Sequence, residues 1–125
     1  MTIGVGVDLV EIAALQKSAE QSKRFIPRVF TAGEIEYCET KPLKYQHYAA
    51  RFAAKEAVMK ALGTGWDKGI SWKQIEVQGS LGKKPDVVLY KAAKALALEL
   101  HVKNIHVSLS HSGNYAIAQV ILTTE

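Results

Sequence analysis

Two acidic residues far apart in the sequence, Asp8 and Glu56, lie in apolar surroundings where a charge needs a partner. Asp8 belongs to TIGVGVDLV, which is rich in β-branched residues, and Glu56 belongs to RFAAKEAVMKALGTG, which is mostly Ala, Val, Met and Leu. An unpaired buried carboxylate is very costly, so each must be paired, hydrated or bound to a metal ion. Mg²⁺ typically takes one or two protein carboxylates and accepts waters and phosphate oxygens at its other positions. Asp8 and Glu56 together could therefore hold Mg²⁺.

The cations of the second stretch could meet the phosphates of a metal-bound ligand. Glu56 and Lys60 are four residues apart, as are Arg51 and Lys55, so on a helix the two rows lie side by side. A plainer alternative is a surface salt bridge from Glu56 to Lys60, worth about 0.2–0.5 kcal/mol. Because few neighbouring residues are polar enough to face water, the pattern favours a semi-buried polar site.

Asp8 shares one face of its predicted strand with two glycines. Side chains on a strand alternate, so Gly4, Gly6 and Asp8 lie on one face and Val5 and Val7 on the other, within a strand that we expect to be buried. The glycines leave space beside Asp8 for a ligand or for another backbone, and the alternative is a strand-end carboxylate that caps the next turn. A dinucleotide-binding motif is excluded, because its third glycine position is a leucine and no phosphate-cradling loop follows.

The segment SLSHSG near the C-terminus offers hydroxyls and an imidazole but no complete catalytic set. It is not a Gly-x-Ser-x-Gly elbow, and nothing local completes a nucleophilic triad. His106 and His111 lack the companions of a zinc site. His111 is either structural or a contact for a phosphate. Cys38 lies among glutamates, which oppose thiolate formation, so we do not expect an activated thiol.

Basic residues crowd the region after the first predicted strand. They form either a solvated face or a surface for an acidic partner. Aromatic residues do not alternate with these cations as a base-stacking surface would require, so we expect no nucleic-acid partner. The residues concerned are Lys17, Lys23, Arg24 and Arg28.

These residues must be positioned by helices and strands, and the order of the predicted elements indicates an α+β domain. Residues 2–10 predict a strand, and short helical pieces follow as far as residue 30, limited by Pro27. The Thr-x-x-Glu spacing at Thr31 predicts a capping box and a helix to about residue 40. A long helix is predicted over 44–62, with Gly63 as its C-terminal cap.

The second half of the chain predicts mostly strands. GTGWDKG is expected to be a loop, and residues 72–78 and 85–89 read as strands around the turn GSLGKKP. A helix is predicted over 90–101. Residues 105–110 alternate in polarity, and residues 115–122 return as a final strand, which predicts an antiparallel hairpin.

Length and composition are those of one domain spanning 1–125. The net charge of +4 permits an acidic partner or a phosphate-bearing ligand. A single cysteine excludes an internal disulfide framework and fits a reducing cytosol. The N-terminus lacks the basic start and cleavage site of a signal peptide, and no apolar run approaches the roughly 20 residues of a membrane span. We therefore expect a cytoplasmic protein with no membrane partner.

Several stretches in the same order resemble the holo-[acyl-carrier-protein] synthase family of small 4′-phosphopantetheinyl transferases. They are GVDLVEI near the N-terminus, FTAGE, RFAAKEAVMKALGTG, GKKP and SLSHSGNYAIAQV. The first, the third and the SLSH of the last carry most of the specificity, and the resemblance runs through nearly the whole chain. It implies the 4′-phosphopantetheinyl transferase fold, in which a largely antiparallel sheet packs with helices around one long central helix.

The resemblance also implies a reaction, in which the 4′-phosphopantetheine arm of coenzyme A moves to a serine of an apo acyl carrier protein. The other product is adenosine 3′,5′-bisphosphate, and the pathway served is fatty-acid biosynthesis. By similarity, Asp8 and Glu56 are the Mg²⁺ ligands, and Lys60 lies near the coenzyme A pyrophosphate. Arg51 and His111 contact the nucleotide end. Either Glu56 or a metal-bound water receives the proton of the serine.

Members of the family are expected to be homotrimers with active sites between subunits. One subunit would give Asp8 and Glu56, and its neighbour would help to bind coenzyme A. The backbone at Gly63 and Gly65 is expected beside that ligand.

Carrier docking in the family uses a basic N-terminal helix that meets an acidic helix of the carrier. Family sequences often have Arg shortly after VEI, where this chain has Ala13 and Ala14. Docking is therefore expected to rest on Lys17, Lys23, Arg24 and Arg28.

Overall fold

The α+β architecture is confirmed by a computed structural model, which describes residues 1–63, 69–79 and 84–125. A strand and four helices are followed by one turn of 3-10 helix, a strand pair, a helix and the C-terminal hairpin. The elements are β1 (Thr2–Glu11), α1 (Ile12–Gln21), α2 (Phe25–Val29), α3 (Ala32–Glu39), α4 (Lys44–Leu62), the 3-10 turn (Trp72–Gln74), β2 (Ile75–Gln78), β3 (Asp86–Leu89), α5 (Lys91–Glu99), β4 (Asn104–Ser112) and β5 (Tyr115–Thr123).

The larger sheet has three antiparallel strands in the order β1-β5-β4, and β2 and β3 form a second antiparallel pair. The predicted hairpin is confirmed as β4 and β5, with Ser112 opposite Tyr115 at its turn. In this register Asp8 of β1 lies opposite Ala118 of β5. The long helix α4 packs across the sheet, and its alanines and Val58 form much of the core.

The glycines of β1 bring α4 unusually close to the sheet. A Cβ at Gly4 would lie 2.2 Å from the carbonyl oxygen of Ala61, and one at Gly6 would lie 1.9 Å from that of Ala57. The space beside Asp8 is thus filled by another backbone, which was one of the two sequence-based alternatives. Only residues without a side chain allow this approach, and it holds Asp8 next to α4.

The expectation that β1 is buried is wrong for one of its faces. Val5 and Val7 are 58% and 57% exposed in the isolated chain, although they are the bulky apolar residues of the strand. The glycine face packs against α4 instead, because only that face permits helix and strand backbones to touch. Alternation along a strand separates two faces without saying which of them covers the core.

Helix boundaries follow the local signals closely. The capping box at Thr31 is present, and α4 ends at Gly63 with φ 74°, a left-handed conformation that favours glycine. The helix predicted to reach residue 101 ends at Glu99, because His101 also takes a left-handed conformation, with φ 63°. Within the described residues, no helix is both long and apolar enough to cross a membrane.

The strand predicted over 72–78 begins only at Ile75. Trp72–Gln74 form a 3-10 turn, closed by a hydrogen bond from the Gln74 N–H to the Ser71 carbonyl. Pairing with β3 starts at Ile75, opposite Leu89. The Trp72 carbonyl accepts a hydrogen bond from the side chain of Lys55, so it is satisfied without a partner strand.

Candidate active site

Asp8 and Glu56 line one open cavity, which β1, α1 and α4 enclose. β1 contributes Asp8 from its glycine face, and α4 contributes Glu56. The ionisable residues among the described lining are all carboxylates, since the third is Glu11. Three acidic residues at one cavity create a negative potential that favours a cation.

Among the described residues, Lys60 brings a cation to this site. Its ammonium donates hydrogen bonds to Asp8 Oδ1 at 2.9 Å and to the Val7 carbonyl at 3.2 Å. The alternative of a surface salt bridge from Glu56 to Lys60 is therefore wrong: Lys60 reaches across to β1, while Glu56 Oε1 accepts the indole N–H of Trp72 at 3.0 Å. The cap alternative for Asp8 is also wrong, because no side chain caps the start of α1.

A site with two carboxylates suits Mg²⁺, which needs few protein ligands, better than a metal ion whose ligands all come from the protein. Among the described residues, no group of three or more His, Cys, Asp or Glu side chains is arranged to hold a metal ion. Mg²⁺ needs only one or two carboxylates and leaves its remaining positions to water and phosphate. Asp8 already binds the ammonium of Lys60, so a cation is stable at its oxygens. The residues present thus fit Mg²⁺ shared with a phosphate-bearing ligand.

Arg51 and His111 line a second cavity, between α3, α4 and β4. The Arg51 guanidinium lies 3.9 Å above the centre of the Tyr37 ring, and its Nε has no hydrogen-bond partner among the residues described. Gln46 Nε2 lies 3.3 Å from both ring nitrogens of His111. Burial, assisted by the charge of Arg51, lowers the pKa of His47 below its ordinary value of 6.5. A nearly buried cation that pairs with no acidic side chain among the described residues would favour a negatively charged group in this cavity.

These two cavities have no described lining residue in common. Asp8 and Glu56 meet in the first, with Lys60 beside them, whereas Arg51 and His111 meet in the second. Within one chain the predicted site residues therefore form two separate groups. Gly63 is present at the end of α4, and Gly65 lies outside the described residues.

Lys55 does not serve either cavity, so the expectation that it is available for phosphates is wrong. Its side chain is fully buried and forms an ion pair with Glu34 at 2.6 Å. Burial lowers the pKa of the Lys55 ammonium, and the Glu34 carboxylate opposes that effect. Similarly, burial raises the pKa of the Cys38 thiol to about 12, which agrees with the expectation that it is not an activated thiol.

The basic residues of α1, α2 and the segment between them are all exposed. Arg24 and Arg28 line a groove that shares Ser18 and Phe25 with the Asp8–Glu56 cavity. The groove also contains Trp72, whose contact with Glu56 sequence reasoning missed. A lone indole in a predicted strand was the only signal available for it. Lys17 and Lys23 lie on the same region of the chain.

Comparison with known proteins identifies the family of this chain. A family model described as the 4′-phosphopantetheinyl transferase superfamily matches residues 4–120. Holo-[acyl-carrier-protein] synthase of Solibacter usitatus is 47% identical over 123 residues, which are 98% of each protein. The structure of the Neisseria meningitidis holo-[acyl-carrier-protein] synthase has a TM-score of 0.89 at 26% identity, covering 98% of this chain and 99% of that one.

A further structure carries a ligand. The Helicobacter pylori holo-[acyl-carrier-protein] synthase, solved in complex with coenzyme A, has a TM-score of 0.82 at 30% identity, covering 95% of this chain and 99% of that one. Sequence and fold agree over almost the full length of both chains. The chain therefore belongs to the 4′-phosphopantetheinyl transferase superfamily, among its holo-[acyl-carrier-protein] synthases.

Proposed function

We propose that this chain, acting as a single domain over residues 1–125, transfers the 4′-phosphopantetheine arm of coenzyme A to a serine hydroxyl of an apo acyl carrier protein, with Mg²⁺ bound at Asp8 and Glu56. The observation that carries the proposal is the shared cavity of these two carboxylates. A relative at 30% identity binds coenzyme A, which supports the same co-substrate here. The proposed setting is the cytoplasm and fatty-acid biosynthesis.

The reaction needs positioning and charge neutralisation more than it needs a protein nucleophile. The serine oxygen attacks the pyrophosphate phosphorus that carries the pantetheine arm, and the bond from that phosphorus to the bridging oxygen breaks. Adenosine 3′,5′-bisphosphate leaves with the bridging oxygen. When bound, Mg²⁺ would neutralise the charge of the pyrophosphate oxygens. The serine proton passes to Glu56 or to a water in the cavity.

Lys60 has a second task in this proposal. Its side chain is 56% exposed, so it can leave Asp8 without a large desolvation change and move to a pyrophosphate oxygen. Such an exchange would leave Asp8 paired with Mg²⁺ and keep every carboxylate compensated when the ligand arrives. A flexible ammonium suits this role because it acts as a point charge rather than a fixed fork.

The nucleotide end is proposed to lie at Arg51 and His111, with the site completed between subunits of a homotrimer. Two observations support this arrangement. Within one chain, the cavity of Asp8 and Glu56 and the cavity of Arg51 and His111 have no described lining residue in common. The outer face of β1 is apolar and exposed through Val5, Val7 and Leu9, which marks an interaction surface.

The carrier is proposed to dock on the basic surface of α1 and α2. Arg24 and Arg28 border a groove that adjoins the cavity of Asp8 and Glu56 at Ser18 and Phe25. A carrier helix with acidic side chains would meet these cations, and its serine would then face the metal site. Lys17 and Lys23 would extend the positive surface, and the exposed Ala13 and Ala14 would contribute no charge.

Mass spectrometry of the carrier tests the proposal directly. Purified protein with Mg²⁺, coenzyme A and an apo acyl carrier protein should give a carrier that is heavier by one phosphopantetheine arm. Asp8→Ala and Glu56→Ala should each lower the rate by at least about 100-fold, because each removes half of the metal site. Glu99→Ala, an exposed carboxylate at the end of α5, is the matched control. Full activity of both site variants would contradict the metal-site assignment.

The same measurement separates two other functions. A protein that binds coenzyme A without turnover would leave the carrier mass unchanged while still binding the ligand. A nucleic-acid-binding module would also leave it unchanged, and it would bind generic RNA or DNA in a strongly salt-dependent manner.

A further inference from the structure

The side chain of Glu56 is held by a residue that the sequence places sixteen positions away. Trp72 Nε1 donates a hydrogen bond to Glu56 Oε1 at 3.0 Å. The indole ring packs against Phe52, one turn earlier on α4, with ring centroids 5.8 Å apart. Trp72 is partly buried and also lines the groove of Arg24 and Arg28.

The backbone of Trp72 is held by the neighbour of Glu56 on the same helix. Lys55 Nζ donates to the Trp72 carbonyl at 3.0 Å and to the Ile75 carbonyl at 2.6 Å. Consecutive residues of α4 therefore contact the two ends of Trp72: Lys55 binds its carbonyl, and Glu56 accepts its indole N–H. The 3-10 turn that contains Trp72 is fixed to α4 on both sides.

The anchor behind this contact is a buried ion pair. Lys55 and Glu34 are fully buried and 2.6 Å apart. Glu34 also accepts hydrogen bonds from the N–H groups of Val77, at 2.7 Å, and Thr31, at 2.9 Å. With its hydrogen bonds satisfied and no solvent access, this network is rigid, so the position of the Trp72 backbone is rigid as well.

We propose that Trp72 is a positioning residue for Glu56, which rests on the proposed role of Glu56 as a metal ligand. The indole N–H binds Oε1 and thereby turns Oε2 toward the cavity shared with Asp8. A free glutamate would populate several rotamers, and restricting them in advance lowers the entropy lost when a cation binds.

Replacement of Trp72 by Phe removes the N–H donor and keeps an aromatic ring against Phe52. The first measurement uses the ¹⁵N-labelled, metal-free protein. The indole resonance missing from Trp72→Phe belongs to Trp72, and it should move upfield in Glu56→Gln, because a neutral amide accepts a weaker hydrogen bond than a carboxylate. An unmoved resonance would overturn the proposal. Because the chain has two tryptophans, the indole resonance that persists in Trp66→Phe gives the same assignment if Trp72→Phe folds poorly.

The second measurement is the affinity for Mg²⁺ alone, followed by chemical shift changes during titration. Loss of a group that orients a metal ligand typically weakens metal binding 10–100-fold, so Trp72→Phe should raise the Kd by about 10-fold or more. The matched control is Tyr90→Phe, which removes the Tyr90 hydroxyl that donates to Glu76 at 2.8 Å, outside the site. Tyr90→Phe should leave the Kd unchanged.

The outcomes separate this inference from the proposed function. If Glu56→Gln weakens Mg²⁺ binding and Trp72→Phe does not, Glu56 is a ligand that needs no positioning, and the inference is wrong. If Glu56→Gln itself leaves the Kd unchanged, the metal role of Glu56 fails, and the inference fails with it. Weakened binding in both variants, with Tyr90→Phe at the wild-type value, supports both.

Discussion

At the scale of one residue, Arg51 indicates a binding function because it is a nearly buried cation whose Nε lacks a hydrogen-bond partner among the described residues. Its side chain is almost buried, its guanidinium carbon lies 3.9 Å from the centre of the Tyr37 ring, and its Nε is without a partner among the described residues. A buried charge in this condition is costly until an anion arrives. The planar guanidinium can stack on the ring and still present its N–H groups to a phosphate, which an ammonium cannot do.

Arg51→Lys should therefore raise the KM for coenzyme A roughly tenfold and leave kcat nearly unchanged. The reason is that a nucleotide-end contact far from the reacting phosphorus contributes equally to ground state and transition state. Steady-state kinetics at saturating carrier would measure the effect. Lys94→Arg, an exchange of cations on the exposed side of α5, is the control. A fall in kcat with an unchanged KM would contradict the assignment of Arg51 to the nucleotide end.

At the scale of elements, the contact between β1 and α4 determines where the carboxylates lie. The carbonyl oxygens of Ala57 and Ala61 occupy the places where side chains at Gly6 and Gly4 would be. Asp8 and Glu56 extend from this pair of elements, so their separation depends on the backbone contact. Any side chain on the glycine face must push helix and strand apart.

Gly6→Ala should lower the free energy of unfolding by about 1–3 kcal/mol, the usual cost of overpacking, and should weaken the Mg²⁺ dependence of activity. Denaturant unfolding and a Mg²⁺ titration of the rate would measure the two effects. Gly33→Ala is the control, since its Cβ would approach a side-chain oxygen of Glu76, at 3.3 Å, and no backbone atom within 4 Å. Equal stability of Gly6→Ala and wild type would show that the contact is more adaptable than its geometry implies.

The sequence predicted most helices and strands because the signals that begin and end them lie within a few neighbouring residues. The capping box at Thr31, the left-handed Gly63 and the glycine face beside Asp8 can each be read from a few neighbouring residues. Lys55 could not be assigned in this way, because its partner Glu34 lies on another helix and only the packed fold shows that both are buried. The partner of Lys60 could not be assigned from local spacing either, because Lys60 pairs with Asp8, which is distant in sequence, and not with Glu56, which lies one turn away on the same helix.

At the scale of the whole molecule, the exposed apolar face of β1 supports the proposed assembly. The face includes Val7 and Leu9 of β1, with Gln119 of β5 opposite Val7. An apolar face of this kind on a monomer is unfavourable in water, and burial against copies of the chain removes it. The same assembly would bring Asp8 and Glu56 of one copy beside the cavity of Arg51 and His111 of another.

Val7→Lys should convert the protein from the proposed trimer to single chains and abolish carrier modification, since a charge cannot be buried there without a partner. Sedimentation at micromolar concentration should give three times 13.7 kDa for wild type and 13.7 kDa for the variant. Leu98→Lys is the control, because Leu98 is 65% exposed on α5, away from the sheet face. A wild-type protein that sediments as a monomer would contradict the assembly.

The inverted burial of β1, with glycines inward and valines outward, has a consequence for how the protein behaves in dilute solution. The glycine face gives the isolated chain little hydrophobic stabilisation, and the valine face gives it a surface prone to aggregation. If self-association covers that face, the melting temperature rises with protein concentration, because mass action adds to the stability of the folded chain. Freshly synthesised chains, before they meet a copy, are then the vulnerable population.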